Sequence, residues 1–380
     1  MTENEVFDYH AKYSGKIGLQ IKTSVKDRDE LSLAYTPGVG KVCSEIAKNP
    51  DTVYNYTSKK NTVAIVTDGT AVLGLGNLGP EAALPVMEGK ALLFKKFADI
   101  DAWPICVPST LTAKQIAEVI LNISPGFGGI NLEDVAAPKC FEVEKYLENL
   151  NIPYFHDDQK GTAIVVLAGL MNSLKLAGKD FKDIKVVING AGAAGLAIAH
   201  ILEKAGVQNL ILCDKNGILN QKNLMFEEQK RFLYLNKQNI KGDLKKALEN
   251  SDVFIGVSAP DLLQSENIRK MNEKSIVFTL ANPIPEIMPE KAYEGGAFIV
   301  ATGRSDYPNQ VNNVLGFPGI FRGAFDGRIK KINDEICLKA AYALAEVLTE
   351  EELSPLKILP EVFDKRVVPA VAEAVMKVVI

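Results

Sequence analysis

Two pairs of adjacent carboxylates are the groups in this sequence best suited to chemistry. Glu133 and Asp134 end the segment INLED, and Asp157 and Asp158 lie in the segment FHDDQKGTA. Each pair follows an apolar run, and a helical pattern separates them, so both are expected at one rim of a sheet. Carboxylates gathered in this way repel one another unless a cation or a proton intervenes. An all-oxygen set suits Mg²⁺ or Mn²⁺; the alternative is that each pair only begins a helix.

A lysine and a tyrosine add groups that transfer protons. Lys90 lies beside an apolar stripe on a helix predicted over residues 81–98. Tyr35 lies in residues 31–40, which are expected to form a loop because they contain a proline and two glycines. The alternatives are a lysine that extends its ammonium to solvent and an ordinary surface tyrosine.

A dinucleotide site is predicted where a strand at residues 184–189 runs into GAGAAG at residues 190–195. The glycines let a pyrophosphate approach the N-terminus of the following helix. The next strand ends at Asp214, which would accept hydrogen bonds from the ribose hydroxyls. The alternative is a glycine-rich turn without a ligand. A second pattern, GLGNLG at residues 74–79, is followed by proline and is interpreted as a loop whose backbone must approach another group closely.

Strands and helices alternate through most of the 380 residues, which predicts an α/β protein. We expect an N-terminal α/β catalytic domain over residues 1–160, then a Rossmann-type dinucleotide-binding domain with a parallel sheet over residues 161–327. A C-terminal helical segment, residues 328–380, is expected to pack back on the body. Ligands bind at the carboxyl ends of such strands, and the turns at Ser258 and Asn282 fall there.

Composition excludes several classes of function. The net charge of −4 and the lack of a basic stripe argue against nucleic-acid binding. Five scattered cysteines without a Cys-x-x-Cys pair indicate reduced thiols in a cytoplasmic protein. No signal peptide opens the chain, and no apolar run is expected to reach membrane-spanning length. An apolar helix at residues 369–380 predicts a homodimer.

Taken together, these groups suit hydride transfer from a carbinol to a nicotinamide, with a divalent cation that stabilises the resulting ketone and promotes loss of CO₂. The sequence resembles the malic enzyme family over nearly its whole length, and its length is similar to that of the small bacterial or archaeal type. The resemblance rests on AYTPGV at 34–39, TDG at 67–69, GLGNLG at 74–79, EGK at 88–90, LED at 132–134, HDD at 156–158, GTA at 161–163, GAG at 190–192, ANP at 281–283, and NN at 312–313 before FPG at 317–319.

The resemblance implies roles for individual residues. The family oxidises and decarboxylates (S)-malate to pyruvate and CO₂ with NAD⁺ or NADP⁺, through metal-bound oxaloacetate and enolpyruvate. Lys90 would be the general base and a substrate contact, Asp157 its partner, and Tyr35 the proton donor to the enol. The implied metal ligands are Glu133, Asp134 and Asp158. Asn282 and Asn313 would contact malate. The expected cofactor-binding residues are Thr162, Gly190, Ala191, Gly192, Ala193, Ala194, Gly195, Asp214, Ser258 and Asn282.

Two positions depart from the family pattern. Ala71 stands where large-subunit members carry an arginine for a substrate carboxylate, and Lys160 stands where histidine or isoleucine is expected. NAD⁺ is favoured over NADP⁺ because the Asp214 carboxylate repels a 2′-phosphate, although Lys215 can offset this. The alternatives are an oxaloacetate decarboxylase without net redox, a non-catalytic regulatory homologue, and a 2-hydroxyacid dehydrogenase that does not decarboxylate.

Overall fold

A computed structural model describes residues 2–72 and 74–379 of the chain. Its N-terminal region consists of helices α1 (Glu3–Tyr13), α2 (Arg28–Ala34), α3 (Gly38–Lys48) and α4 (Val53–Tyr56), none of which contains a buried residue. The predicted loop at residues 31–40 is wrong, because only Tyr35 to Pro37 separate α2 from α3. Apolar residues in α3 recur with helical spacing, and this periodicity outweighs the two glycines in its first turn.

The first sheet is parallel and has the strand order β2-β1-β3-β4. Its strands are β1 (Thr62–Thr67), β2 (Asp101–Cys106), β3 (Gly129–Leu132) and β4 (Tyr154–His156), and its helices are α5 (Pro80–Ala98), α6 (Ala113–Ile123) and α7 (Lys139–Tyr146). The capping box of Thr112 and Gln115 begins α6. Because all four strands run in one direction, their carboxyl ends form a single rim.

The second sheet has the order β10-β9-β8-β5-β6-β7 and is parallel except for β7. Its strands are β5 (Lys185–Asn189), β6 (Asn209–Asp214), β7 (Gly217–Ile218), β8 (Val253–Gly256), β9 (Ile276–Thr279) and β10 (Ile299–Thr302). Its helices are α8 (Thr162–Ala177), α9 (Ala193–Lys204), α10 (Leu244–Leu248), α11 (Ser265–Ile268) and α12 (Pro289–Glu294). The predicted α/β class with a parallel, Rossmann-type sheet is therefore confirmed.

A π-helical turn, Asp157–Gly161, runs directly into α8. Together they form a 21-residue apolar helix, so the expectation that no apolar segment reaches membrane-spanning length was wrong. In this helix 72% of the apolar window is buried inside the protein, which is the environment of a core helix.

Three C-terminal helices, α13 (Phe317–Asp326), α14 (Asp334–Ala345) and α15 (Val367–Met376), pack back on the body. Phe94 of α5 contacts Phe317 and Phe321 of α13, with ring centroids 4.6 and 5.3 Å apart. Val371 and Val375 of α15 are fully buried within the chain. This apolar face is therefore covered by the protein itself and gives no argument for a dimer, which stays a prediction.

Candidate active site

The centre of the site is Lys90, which α5 directs into the protein, where only 6% of the residue is exposed. The Lys90 Nζ donates a hydrogen bond to Asp157 Oδ2 and lies 3.0 Å from Glu133 Oε1. It also lies 4.4 Å from the ring centroid of Phe317. This lysine is therefore not a surface residue, and an aromatic face and two carboxylates surround its charge.

Burial and charge act in opposite directions on this cluster. Burial lowers the pKa of Lys90, but the Asp157 and Glu133 carboxylates outweigh burial and raise that pKa above its usual range. Burial also raises the pKa of Glu133, and it raises the pKa of Asp157 to about 6. At neutral pH the arrangement therefore favours an ammonium on Lys90 and a carboxylate on Asp157.

Two adjacent strands place the acidic residues at one rim. Glu133 and Asp134 follow β3, Asp157 and Asp158 follow β4, and β3 pairs with β4. Glu133 Oε2 accepts a hydrogen bond of 2.8 Å from Asn131 Nδ2. The backbone N–H of Asp134, a residue with φ of 54°, donates to Asp158 Oδ2 at 2.8 Å. The expected gathering of both pairs is thus present in the structure.

The chemistry of these donors fits a hard divalent cation, because Glu133, Asp134 and Asp158 offer only carboxylate oxygens. Burial raises the pKa of Asp158 to about 6, which reflects the cost of a charged carboxylate in this setting. Over residues 2–72 and 74–379, no three acidic, histidine or cysteine side chains already converge on a single point. Glu133 is instead turned toward Lys90 and Asn131, so holding an ion requires side-chain rotation.

The π-helical turn brings Asn313 to the same place. A Cβ added to Gly161 would lie 1.8 Å from Asp157 Oδ1 and 3.4 Å from the Cβ of Asn313. Only glycine therefore leaves room for the Asp157 carboxylate at this point of the turn. Thr162 follows immediately as the first residue of α8.

A second close approach joins the two sheets. A Cβ added to Gly74, whose φ is 75°, would lie 2.6 Å from the backbone oxygen of Asn282. The GLGNLG loop therefore brings its backbone against another group, as the sequence analysis predicted. Asn282 precedes Pro283 through a cis peptide bond, and its Nδ2 would lie 2.9 Å from a Cβ added to Gly303.

Tyr35 is not brought to Lys90. It follows α2 with 68% of the residue exposed, and among the described residues its side chain has no hydrogen bond or ring contact. Lys160, by contrast, is half-buried, and its Nζ lies 2.8 Å from Glu144 Oε1. The carboxylate of Glu144 balances the charge of Lys160.

A cavity of about 640 Å³ lies at the carboxyl ends of β5, β6 and β8. Gly190, Ala191, Gly192, Asp214 and Ser258 line this cavity, together with Lys215 and Lys245. Asp214 Oδ1 accepts a hydrogen bond from the Asn216 N–H, whereas Oδ2 has no partner within the part of the chain that the structure describes. An acceptor is therefore available to a ribose hydroxyl.

Other predicted cofactor residues lie outside the lining of this cavity. Ala193, Ala194 and Gly195 form the first turn of α9. A Cβ added to Gly195 would lie 1.7 Å from the Gly190 oxygen, so this glycine permits close packing of helix on turn. Thr162 and Asn282 also do not line the cavity.

Sequence reasoning missed three residues that shape the site: Asn131, Phe317 and Glu286. Asn131 orients Glu133, and Phe317 lies against Lys90. Glu286 is buried beyond the Asn282 turn. In the sequence Phe317 stands out only as part of the FPG motif, and no periodicity indicates that its ring lies against a lysine on another helix.

Comparison with known proteins gives matches over most of the chain. Residues 14–117 match the family model "Malic enzyme, N-terminal domain", and residues 159–380 match "Malic enzyme, NAD binding domain". The NAD-dependent malic enzyme of Geobacillus stearothermophilus is 54% identical over 96% of this chain and 76% of its own length. The bifunctional malic/malolactic enzyme of Bacillus subtilis is 52% identical over 98% of this chain and 92% of its own length.

Solved structures agree with these matches. The crystal structure of NAD-dependent malic enzyme from Thermotoga maritima superposes with a TM-score of 0.94 at 50% identity, covering 99% of both chains. Among the matching relatives, some are named NAD-dependent and others NADP-dependent malic enzymes.

Proposed function

The chain belongs to the malic enzyme family, and from this premise we propose that it converts (S)-malate to pyruvate and CO₂ while reducing NAD⁺ or NADP⁺. The observation that carries the proposal is the buried cluster of Lys90, Asp157 and Glu133 at the rim of the first sheet. The Gly74–Asn282 contact joins this rim to the sheet that holds the dinucleotide cavity.

Lys90 is the proton-transfer residue of the first step. With the metal ion bound, Lys90 would be present as the neutral amine and would take the hydroxyl proton of malate, while Asp157 holds the amine in place. A dinucleotide bound at the second sheet would accept the hydride. Mg²⁺ or Mn²⁺ bound by Glu133, Asp134 and Asp158 would withdraw electrons from the substrate oxygens and lower the pKa of the nearby amine. Asn282 and Asn313 bind malate without adding charge to the site.

Tyr35 protonates the enol after CO₂ leaves. Its exposure in the chain suggests that a second copy completes the site, and we propose a homodimer. Several large apolar side chains are exposed along the N-terminal region, which supports a covered surface there: Phe7, Leu19, Ile21, Leu31, Leu33 and Tyr35.

We place the enzyme in the cytoplasm with NAD⁺ as the preferred cofactor. All five cysteines are free thiols, as a reducing compartment requires. The available Asp214 Oδ2 favours a ribose hydroxyl over a 2′-phosphate. Lys215 and Lys245 line the same cavity and oppose this preference.

The deciding experiment follows the absorbance of reduced nicotinamide when malate, Mn²⁺ and each cofactor are supplied in turn. Formation of reduced cofactor together with pyruvate and CO₂ supports the proposal. Release of CO₂ from oxaloacetate, with no reduction of cofactor by malate, would identify a decarboxylase without net redox.

A further inference from the structure

Glu286 is a fully buried carboxylate between the ends of two neighbouring strands. Its Oε1 accepts a hydrogen bond of 2.9 Å from the backbone N–H of Ser258, just beyond β8. Its Oε2 accepts hydrogen bonds from the Thr279 hydroxyl at 3.0 Å and from the Ala281 N–H at 3.1 Å, at the end of β9. One side chain therefore ties together the turns that carry Ser258 and Asn282.

The strand beside it is shaped to admit this carboxylate. A Cβ added to Gly256 at the end of β8 would lie 2.3 Å from the carboxyl carbon of Glu286 and 2.6 Å from Oε1. Within residues 2–72 and 74–379, no lysine, arginine or histidine forms an ion pair with Glu286. Its hydrogen-bond donors are two backbone N–H groups and hydroxyls.

A buried carboxylate held only by neutral donors is expensive, because each charge taken from water carries a large desolvation cost. Costly features such as a buried carboxylate without a cation concentrate where a protein must hold a precise geometry. The two turns that Glu286 joins are such a place. Ser258 lines the dinucleotide cavity, and its Oγ accepts a hydrogen bond of 2.6 Å from Asn189.

We propose that Glu286 is a positioning residue that holds the Ser258 and Asn282 turns in register, so that the nicotinamide and malate meet at the distance hydride transfer needs. The inference rests on the proposed function, which supplies the two ligands. Glu286 is fully buried and acts through the two backbone N–H groups that it orients. Small errors in the placement of reactants are costly, since a displacement of about 1 Å can reduce a rate by about 100-fold.

The test is Glu286→Gln, which keeps the size of the side chain but replaces one acceptor oxygen with a donor. We expect kcat/KM for malate to fall by about 10- to 100-fold and the KM for the dinucleotide to rise. Binding of reduced dinucleotide in the absence of malate, followed by its fluorescence, should weaken in parallel.

The matched control is Asp252→Asn, at the opposite end of β8. Asp252 is also a buried carboxylate, and it accepts hydrogen bonds of 2.8 Å from the Lys185 N–H and from Lys179 Nζ. This variant should lower the melting temperature but leave KM, kcat and dinucleotide affinity unchanged. A loss in the control equal to the loss in Glu286→Gln would mean that any weakening of this sheet impairs activity, and it would overturn the inference.

Gly256→Ala supplies a second variant, which retains the Glu286 carboxylate but forces it to move, because the added Cβ would lie 2.3 Å from its carboxyl carbon. It should reproduce the kinetic signature of Glu286→Gln, and it decides the question if Glu286→Gln does not fold. Wild-type kcat, KM and dinucleotide affinity in either folded variant would contradict the inference. Turnover of malate by the wild type tests the proposed function separately, because dinucleotide binding by the variants can be measured whichever substrate the enzyme uses.

Discussion

The side chains of Lys90 and Asp157 form a buried ion pair although the two residues stand 67 positions apart in the sequence. The pair connects α5, the helix between β1 and β2, with the π-helical turn that follows β4, the strand at the other edge of the first sheet. Removing one partner leaves the other as an uncompensated buried charge, which typically costs about 3–5 kcal/mol. Stability and proton transfer are therefore coupled at this point.

Lys90→Ala should consequently impair both properties. We expect malate turnover to fall by about 10²–10⁴-fold, the usual contribution of a positioned acid or base. The free energy of unfolding should fall by about 3–5 kcal/mol, because Asp157 and Glu133 lose their cation. Urea unfolding and steady-state kinetics measure the two effects. Full stability of this variant at neutral pH would contradict the buried pair.

Tyr35→Phe should separate the partial reactions. Reduction of a ketone substrate by reduced nicotinamide needs no protonation of an enol, so this variant should retain that activity while malate turnover falls by about 10²–10⁴-fold. Lys90→Ala should lose both activities. If Tyr35→Phe abolishes ketone reduction and leaves the tautomerisation of enolpyruvate intact, the assigned roles are wrong.

Mixing the two inactive variants tests whether two chains share a site. In a symmetric dimer whose sites combine Lys90 of one chain with Tyr35 of its partner, a heterodimer of the variants has one complete site. Random exchange should then restore roughly a quarter of wild-type activity. A mixture that stays inactive, although native mass spectrometry shows heterodimers, would place both residues in one chain.

Metal affinity should depend on pH because burial raises the pKa of Asp158 to about 6. Below that pH the carboxylate is protonated and a cation must displace the proton, so the affinity for Mn²⁺ should weaken as pH falls through about 6. Titration calorimetry at pH 5.5 and 7.5 measures the change. Asp158→Asn should bind weakly at both values, whereas the exposed Asp180→Asn should behave as wild type. Equal affinity of the wild type at both values would contradict the raised pKa of Asp158, and wild-type affinity in Asp158→Asn would exclude Asp158 as a ligand.

Cofactor choice should follow Asp214. The wild type is expected to show the higher kcat/KM with NAD⁺, and Asp214→Ser should shift the ratio toward NADP⁺ by removing a charge that repels the 2′-phosphate. Lys215→Ala is the matched variant, because it removes a positive charge from the same cavity, and it should strengthen the preference for NAD⁺. A wild-type preference for NADP⁺ would mean that Lys215 and Lys245 outweigh the carboxylate.

Some features of the site follow from local rules and could be predicted. Parallel strands end at one rim, so the two acidic pairs were expected to meet there, and β3 and β4 are indeed neighbours. The strand, glycine turn and helix that begin the second sheet likewise form one contiguous segment. The order and spacing of this strand, glycine turn and helix are visible in the sequence, so they are sufficient to predict the dinucleotide turn.

Other features depend on contacts that no local pattern contains. The stripe on α5 indicates one buried face, but α5 is covered by the sheet and also by α13, so Lys90 faces the interior as well. Glu286 follows an Asn-Pro-Ile-Pro turn and has no periodicity that would indicate burial. The surroundings of Tyr35 depend on what covers the N-terminal region, which the sequence of one chain does not specify.

The packing of Phe94 on Phe317 and Phe321 has a consequence for how related enzymes can recombine. Phe317, whose ring lies against the Lys90 ammonium, stands more than 200 positions after that lysine in the sequence. A chimera that inherits residues 1–160 from one parent and the remainder from another would join aromatic rings that were not selected together. A functional chimera should therefore take residues 1–160 and α13 from the same parent. Alternatively, only the segment with the dinucleotide-binding strands should be exchanged, while the residues before and after it come from one parent.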